Sequence, residues 1–148
     1  MLTDLLTADV IRLHVGCDNW REAVKSGTDL LVDKNCVEPR YQQAIVGNHE
    51  TLGPYMVIAP GIMLAHARPE DGVKKLAMSL VTLKEPVAFG NKTNDPVKLL
   101  ITLAAPNRNS HLTALSQLME LLMNAEDIRS IMDATKKEAV LAIIRRYS

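Results

Sequence analysis

The chain has 148 residues, of which 47% are apolar and 23% charged, the balance of one globular domain that buries roughly 68–70% of its unfolded surface. Seventeen basic and seventeen acidic side chains cancel, so no sequence-wide field draws in nucleic acid or an anionic membrane. No apolar run approaches the roughly 20 residues of a membrane helix and no basic-then-apolar leader opens the chain, so one domain over residues 1–148 is expected to work in the cytoplasm without inserting into a membrane.

Val10 to Val15 alternates apolar and polar residues from Ile11, which predicts a strand. Asn19 with Glu22 three residues later reads as a helix start of the capping-box kind. Trp20, Ala23, Val24, Gly27, Leu30 and Leu31 then recur at helical spacing and predict one buried face. Cys17 and Cys36 flank this region with no clustered partners, which predicts reduced thiols and no zinc-type site. Glu38-Pro39 opens a second helix, since proline fits the first helical position, where its missing N–H costs nothing. Tyr41, Ala44 and Ile45 form its inner face, and Gly47-Asn48 is expected to end it.

Tyr55 to Ala59, Leu76 to Leu83 and Leu99 to Ala105 are short apolar runs bounded by turn formers, hence predicted strands. The C-terminal third is helical. Leu112, Leu115, Leu118, Met119, Leu122 and Met123 make one stripe, and Ile128, Ile131 and Met132 a shorter one. Thr135 with Glu138 predicts a capping box for a last helix that turns Val140, Ile143, Ile144 and Tyr147 inward. Strands interleaved with helices define an α/β fold with helices on both sheet faces.

The chemistry concentrates in Ala59-Pro60-Gly61-Ile62-Met63-Leu64-Ala65-His66-Ala67-Arg68-Pro69. A titratable imidazole closes an apolar segment, and a cation follows two residues later. A neutral His66 ring is a nucleophile suited to phosphorus, and Arg68 suits the negative oxygens such a group brings. The same residues also fit a histidine that merely closes a strand and bonds a carbonyl. His111 directly follows the loop after the Leu99–Ala105 run and is expected in the first turn of the next helix. Free N–H groups and the positive end of the helix dipole make an anion site there. His14, in the first strand, reads as a surface or structural residue.

The run Gly53-Pro54-Tyr55, Val57-Ile58-Ala59-Pro60-Gly61 and Ala65-His66-Ala67-Arg68-Pro69 resembles the active-site region of the enzyme IIA components of the bacterial phosphoenolpyruvate:sugar phosphotransferase system. The likeness is to the mannitol/fructose superfamily and, within it, to the ascorbate- and galactitol-like branch. Trp20-Arg21-Glu22-Ala23-Val24, Val37-Glu38-Pro39-Arg40-Tyr41 and Asp95-Pro96-Val97 extend it over nearly the whole chain. The resemblance implies a mixed sheet. It makes His66 the phosphoryl acceptor, His111 a stabiliser of the phosphoryl group and Arg68 its charge partner. It also places the Gly47-Asn48-His49-Glu50 segment beside the site, as a loop. Mannitol-type relatives carry an arginine there and this chain has none, so His49 and Glu50 stand as secondary candidates.

The implied function is a phosphoryl relay, from a phosphohistidine on the phosphocarrier protein to His66 and on to a cognate IIB component, and through it to IIC. Ascorbate heads the implied substrates, ahead of galactitol and other pentitol-like sugars. Ile62, Met63 and Leu64, in a Gly-led loop, are expected to supply an adaptable apolar collar for the two partners. The alternative is a regulatory IIA-like phosphoprotein that reads out phosphorylation by binding. A chain running from Met1 to just past its last helix, with no DNA-binding segment, favours the transporter subunit. No cofactor or metal is required, because the donor arrives activated and His66 and His111 lack a third ligand at a suggestive spacing. No GxxxxGK[ST] or GxSxG motif points to nucleotide use or to a serine hydrolase.

Overall fold

The computed structural model describes residues 1–107, 109 and 111–148. Among them the strands are β1 (Ile11–Val15), β2 (Val57–Ala59), β3 (Ile62–Ala65), β4 (Ala77–Val87) and β5 (Val97–Ala104). The helices are α1 (Leu2–Leu5), α2 (Trp20–Asp33), α3 (Arg40–Leu52), α4 (Leu112–Leu122), α5 (Ala125–Asp133) and α6 (Lys137–Arg145). The strands form one sheet in the order β1-β4-β5-β3-β2. β1 runs parallel to β4 and β3 parallel to β5, while β4–β5 and β2–β3 are antiparallel, so the sheet is mixed.

Two apolar cores lie on opposite faces of this sheet. Val24 and Leu31 of α2 and Tyr41 and Ile45 of α3 pack with Met63, Val81 and Leu100. Leu118 and Leu121 of α4, Ile128 and Ile131 of α5 and Val140 and Ile144 of α6 pack with Ile62, Leu80, Leu99 and Ile101. Neighbouring residues of β3 and β5 thus serve different cores, as the period of two in a strand dictates. Strands covered on both faces lose the apolar–polar alternation of a half-exposed strand, which accounts for the continuous apolar runs of β4 and β5.

The predicted local signal holds at the start of α2. The Asn19 side chain accepts the Glu22 N–H at 3.0 Å, an N-cap worth about 1 kcal/mol. The Glu22 carboxylate reaches back to the Asp18 N–H at 2.6 Å, one residue beyond the usual box. Cys17 and Cys36 are both free thiols.

Three expectations need correction. α3 does not stop at Gly47-Asn48 but runs to Leu52 and closes on Gly53, whose φ of 88° suits glycine. Ile62–Ala65 is strand β3 rather than loop, joined to β2 through Pro60-Gly61 and zipped in parallel onto β5. The Thr135–Glu138 box does not form: Lys136 holds the N-cap position of α6 with no side-chain cap bond. In the preceding helical region, Leu112 and Met123 of the predicted stripe are exposed. Among the described residues no helix is long and apolar enough to cross a membrane.

Candidate active site

β3 and its parallel neighbour β5 end at the same edge of the sheet, with Ala65 opposite Thr102. The carboxyl ends of parallel strands are where α/β sheets open crevices. His66 is the first residue past β3 and is half-buried there. Its Nδ1 lies 3.0 Å from the carbonyl oxygen of Leu64. A carbonyl only accepts, so Nδ1 carries the proton of the neutral ring and Nε2 keeps the lone pair. The Tyr55 ring stands edge-on to the imidazole, with centroids 6.1 Å apart and planes at 86°.

The His66 ring is a wall shared by two cavities. One, of about 160 Å³, is lined by His66, Ala67, Pro69, Leu103, Ala105, Asn107 and His111. The other, of about 530 Å³, is lined by Asn48, Leu52, Tyr55, His66, Ala67, Arg68 and Asp71. His66 thus shares one cavity with His111 and the other with Arg68.

His111 sits at the N-cap of α4, one position ahead of the first turn, and its carbonyl accepts the Leu115 N–H at 2.7 Å. Its Nδ1 is buried without a hydrogen-bond partner among the described residues. A buried polar atom left in that state is costly unless a ligand completes it. Arg68 is exposed and opens a 3-10 turn over Pro69–Asp71, with its backbone N–H held by the Asp71 carboxylate at 2.9 Å. Its guanidinium enters none of the ion pairs among the described residues.

The secondary candidates lie elsewhere. His49 is in helix α3, not a loop, and is 7% exposed. Its Nε2–H donates to the Phe89 carbonyl at 2.8 Å, and its ring packs 4.3 Å from Trp20 and edge-on to Phe89. Successive helix residues point about 100° apart, so with His49 turned into this aromatic cluster it is Asn48 that faces the His66 cleft. Glu50 pairs with Arg21 at 2.9 Å across α2 and α3, both ends about half exposed, and Leu64 rather than Glu50 fixes the His66 ring.

The apolar collar is also displaced. Ile62 is 3% exposed and Met63 0%, each committed to one of the two cores, and Leu64 is half-buried against the second. A strand sandwiched on both faces has no side to offer a partner. Leu52 and Tyr55, on the rim of the larger cleft, and Leu112 beside His111 are exposed apolar groups at the site. Sequence reasoning gave no role to Leu52, Asp71 or Asn107, and singled out neither Asn48 nor Tyr55 within the segments that the resemblance places at the site. Continuing the Tyr41–Ile45 face of α3 past Gly47 at helical spacing reaches Asn48 and Leu52, the signal that would have found two of them.

Residues 4–147 match the family described as phosphoenolpyruvate-dependent sugar phosphotransferase system, EIIA 2. The chain belongs to that family, whose members are phosphotransferases in a phosphoryl relay. It is 47% identical to the ascorbate-specific PTS system EIIA component of Escherichia coli (strain K12) over 137 residues, 92% of this chain and 89% of that protein. Its fold superposes on the mannitol-specific cryptic phosphotransferase enzyme IIA of Escherichia coli with a TM-score of 0.88 and 37% identity, covering 98% of each chain. It also matches the enzyme IIAMTL–phosphorylated enzyme IIBMTL complex of Escherichia coli, with a TM-score of 0.83 and 27% identity over 96% of this chain and 99% of that one.

Proposed function

We propose that His66 is the phosphoryl acceptor of an ascorbate-type system, loaded by the phosphocarrier protein and discharged to a cognate IIB component in the cytoplasm. The observation that carries this reading is the Nδ1–H bond from His66 to Leu64, which leaves Nε2 as the only lone pair of a ring that walls both cavities. Nε2 attacks the phosphorus of the donor phosphohistidine, a new N–P bond forms, the old one breaks, and the donor imidazole leaves with its electron pair. The Leu64 carbonyl meanwhile disperses the positive charge growing on the His66 ring.

Charge in such a transition state spreads over three equatorial oxygens, so catalysis is positioning plus electrostatic stabilisation. Arg68 supplies an exposed cation from the larger cavity and the His111 ring a donor from the smaller one. The N–P bond is labile enough to be given up again, to a cysteine thiolate if the IIB partner is of the ascorbate kind. Leu52, Tyr55 and Leu112 replace Ile62, Met63 and Leu64 as the apolar collar for the two carriers. The substrate assignment rests on the 47% identity to a protein named as ascorbate-specific.

Incubation with phosphoenolpyruvate, enzyme I and the phosphocarrier protein, followed by mass spectrometry, tests the reading. Phosphate is expected on His66 and, with an ascorbate-type IIB added, is expected to leave it faster than with a mannitol-type IIB. A phosphate on any other residue refutes it.

A further inference from the structure

We propose that Tyr41 is a positioning residue for the transfer, holding β3 and β5 apart at their ends so that the cavity between His66 and His111 stays open. The inference rests on the relay reading. The β3–β5 ladder closes its last rung at Ala65 and Thr102. Beyond it the strands part, and a side chain takes the place of the next rung. The Tyr41 hydroxyl accepts the Ala67 N–H at 2.9 Å and donates to the Leu103 carbonyl at 2.7 Å. Ala67 is the residue after His66, and Leu103 leads through Ala104 toward the segment that carries His111. Both line the smaller cavity with the two histidines.

An oxygen between an N–H and a C=O widens their separation by a whole hydrogen bond, while leaving neither buried group unpaired. Were the two backbones to bond directly, Ala67 would draw toward Leu103 and take His66 with it, at the expense of the space where a phosphoryl group must sit. The hydroxyl is carried by the first turn of α3 on a fully buried ring, so packing fixes its position. Burial also pushes its proton affinity up to about 12, so it remains donor and acceptor at once at any working pH.

Tyr41→Phe keeps the ring and removes the rung. Relative to the unaltered protein, its single-turnover transfer from the phosphocarrier protein should slow by about tenfold or more, since small misplacements at a reacting centre have effects of that size. The concentration of carrier at half-maximal rate should stay within about twofold, because the exposed collar is untouched. Ile45→Val, a core change on the same helix away from both cavities, should lower the melting temperature and leave transfer alone. Equal slowing in both variants, or a Tyr41→Phe protein as fast as the unaltered chain, overturns the inference. An unaltered chain that takes no phosphate on His66 refutes the relay reading, and the inference with it. Should Tyr41→Phe fail to fold, amide exchange in the unaltered protein decides. A protected Ala67 N–H, past the end of its ladder, supports the clamp, and one exchanging at the rate of an open loop overturns it.

Discussion

The imidazole of His66 is oriented by the carbonyl of Leu64, two residues earlier in the same chain and 3.0 Å away. The bond costs no tertiary partner. It fixes the tautomer where β3 ends, and so couples the orientation of the free Nε2 to the strand itself. It also predicts that phosphate resides on Nε2, which two-dimensional NMR of the phosphorylated ring would read directly; phosphate on Nδ1 would show that the Leu64 bond breaks before transfer.

His66→Ala should abolish phosphorylation while leaving the fold intact. The side chain is half-buried and contributes one hydrogen bond, worth about 1 kcal/mol. Mass spectrometry and circular dichroism on the same sample check both halves. Full phosphoryl acceptance by the variant would remove His66 from the mechanism.

Arg68→Ala should slow transfer about tenfold or more and shorten the lifetime of the phosphorylated form. A hydrogen bond to a charged group is worth about 1.5–3 kcal/mol, and roughly two negative charges would lose their nearest cation. Arg68→Lys should recover only part, since an ammonium offers no planar fork. Identical single-turnover rates in all three proteins would leave Arg68 as a surface charge.

His111→Ala should accept phosphate more slowly yet still on His66. Its buried Nδ1 has no hydrogen-bond partner among the described residues, and its ring lines the cavity that His66 also walls. His111→Gln keeps a donor and should fall between the alanine variant and the unaltered protein. Unaltered forward and reverse kinetics in His111→Ala would exclude the role.

Tyr41 makes stability sensitive to alkali. Its folded-state pKa of about 12 lies above the ordinary value of 10.0, so between those limits the folded state holds a proton that the unfolded chain has released. The associated stability is fully present below pH 10 and is lost as pH rises toward 12, by roughly 2–3 kcal/mol at 1.36 kcal/mol per unit. Denaturant melts across that window should show the loss, and Tyr41→Phe should lack that component of it. The same alkaline slope in both proteins would mean that other groups produce it.

Gly27→Ala should destabilise, although alanine normally gains about 1 kcal/mol over glycine inside a helix. A Cβ at Gly27 would come within 2.5 Å of Thr102 Oγ1, a stiff β-branched side chain buried in β5. Overpacking of that kind costs about 1–3 kcal/mol and should outweigh the gain. Adding Thr102→Ala should restore the melting temperature. A Gly27→Ala protein with a raised melting temperature would show that Thr102 swings aside freely.

Sequence alone was enough for several features whose cause was local, though the equally local Thr135–Glu138 box did not form. The Asn19 cap, the helical stripes and the alternation of β1 depend on residues within a turn or a few positions of one another. The histidine–alanine–arginine–proline run marks the proposed reacting centre because the imidazole and the cation are two residues apart. Tertiary structure decided what depended on competition or on distance. Gly47 and Asn48 each disfavour helix by about 1 kcal/mol or less, and packing of Ile45, His49 and Trp20 outvotes them, which carries α3 on to Asn48 and Leu52 at the cleft. β3 is four residues long and buried on both faces, so it shows no alternation, and its pairing with β5 and β2 makes it a strand. Tyr41 reads from sequence as one more apolar contact on a helix. Its hydroxyl acquires a role only when folding brings Ala67, 26 positions away, and Leu103, 62 positions away, within hydrogen-bond reach of one oxygen. A helical period predicts that the ring points inward, but which backbone groups meet it there is set by the crossing of two strands and a helix, and no local pattern encodes that.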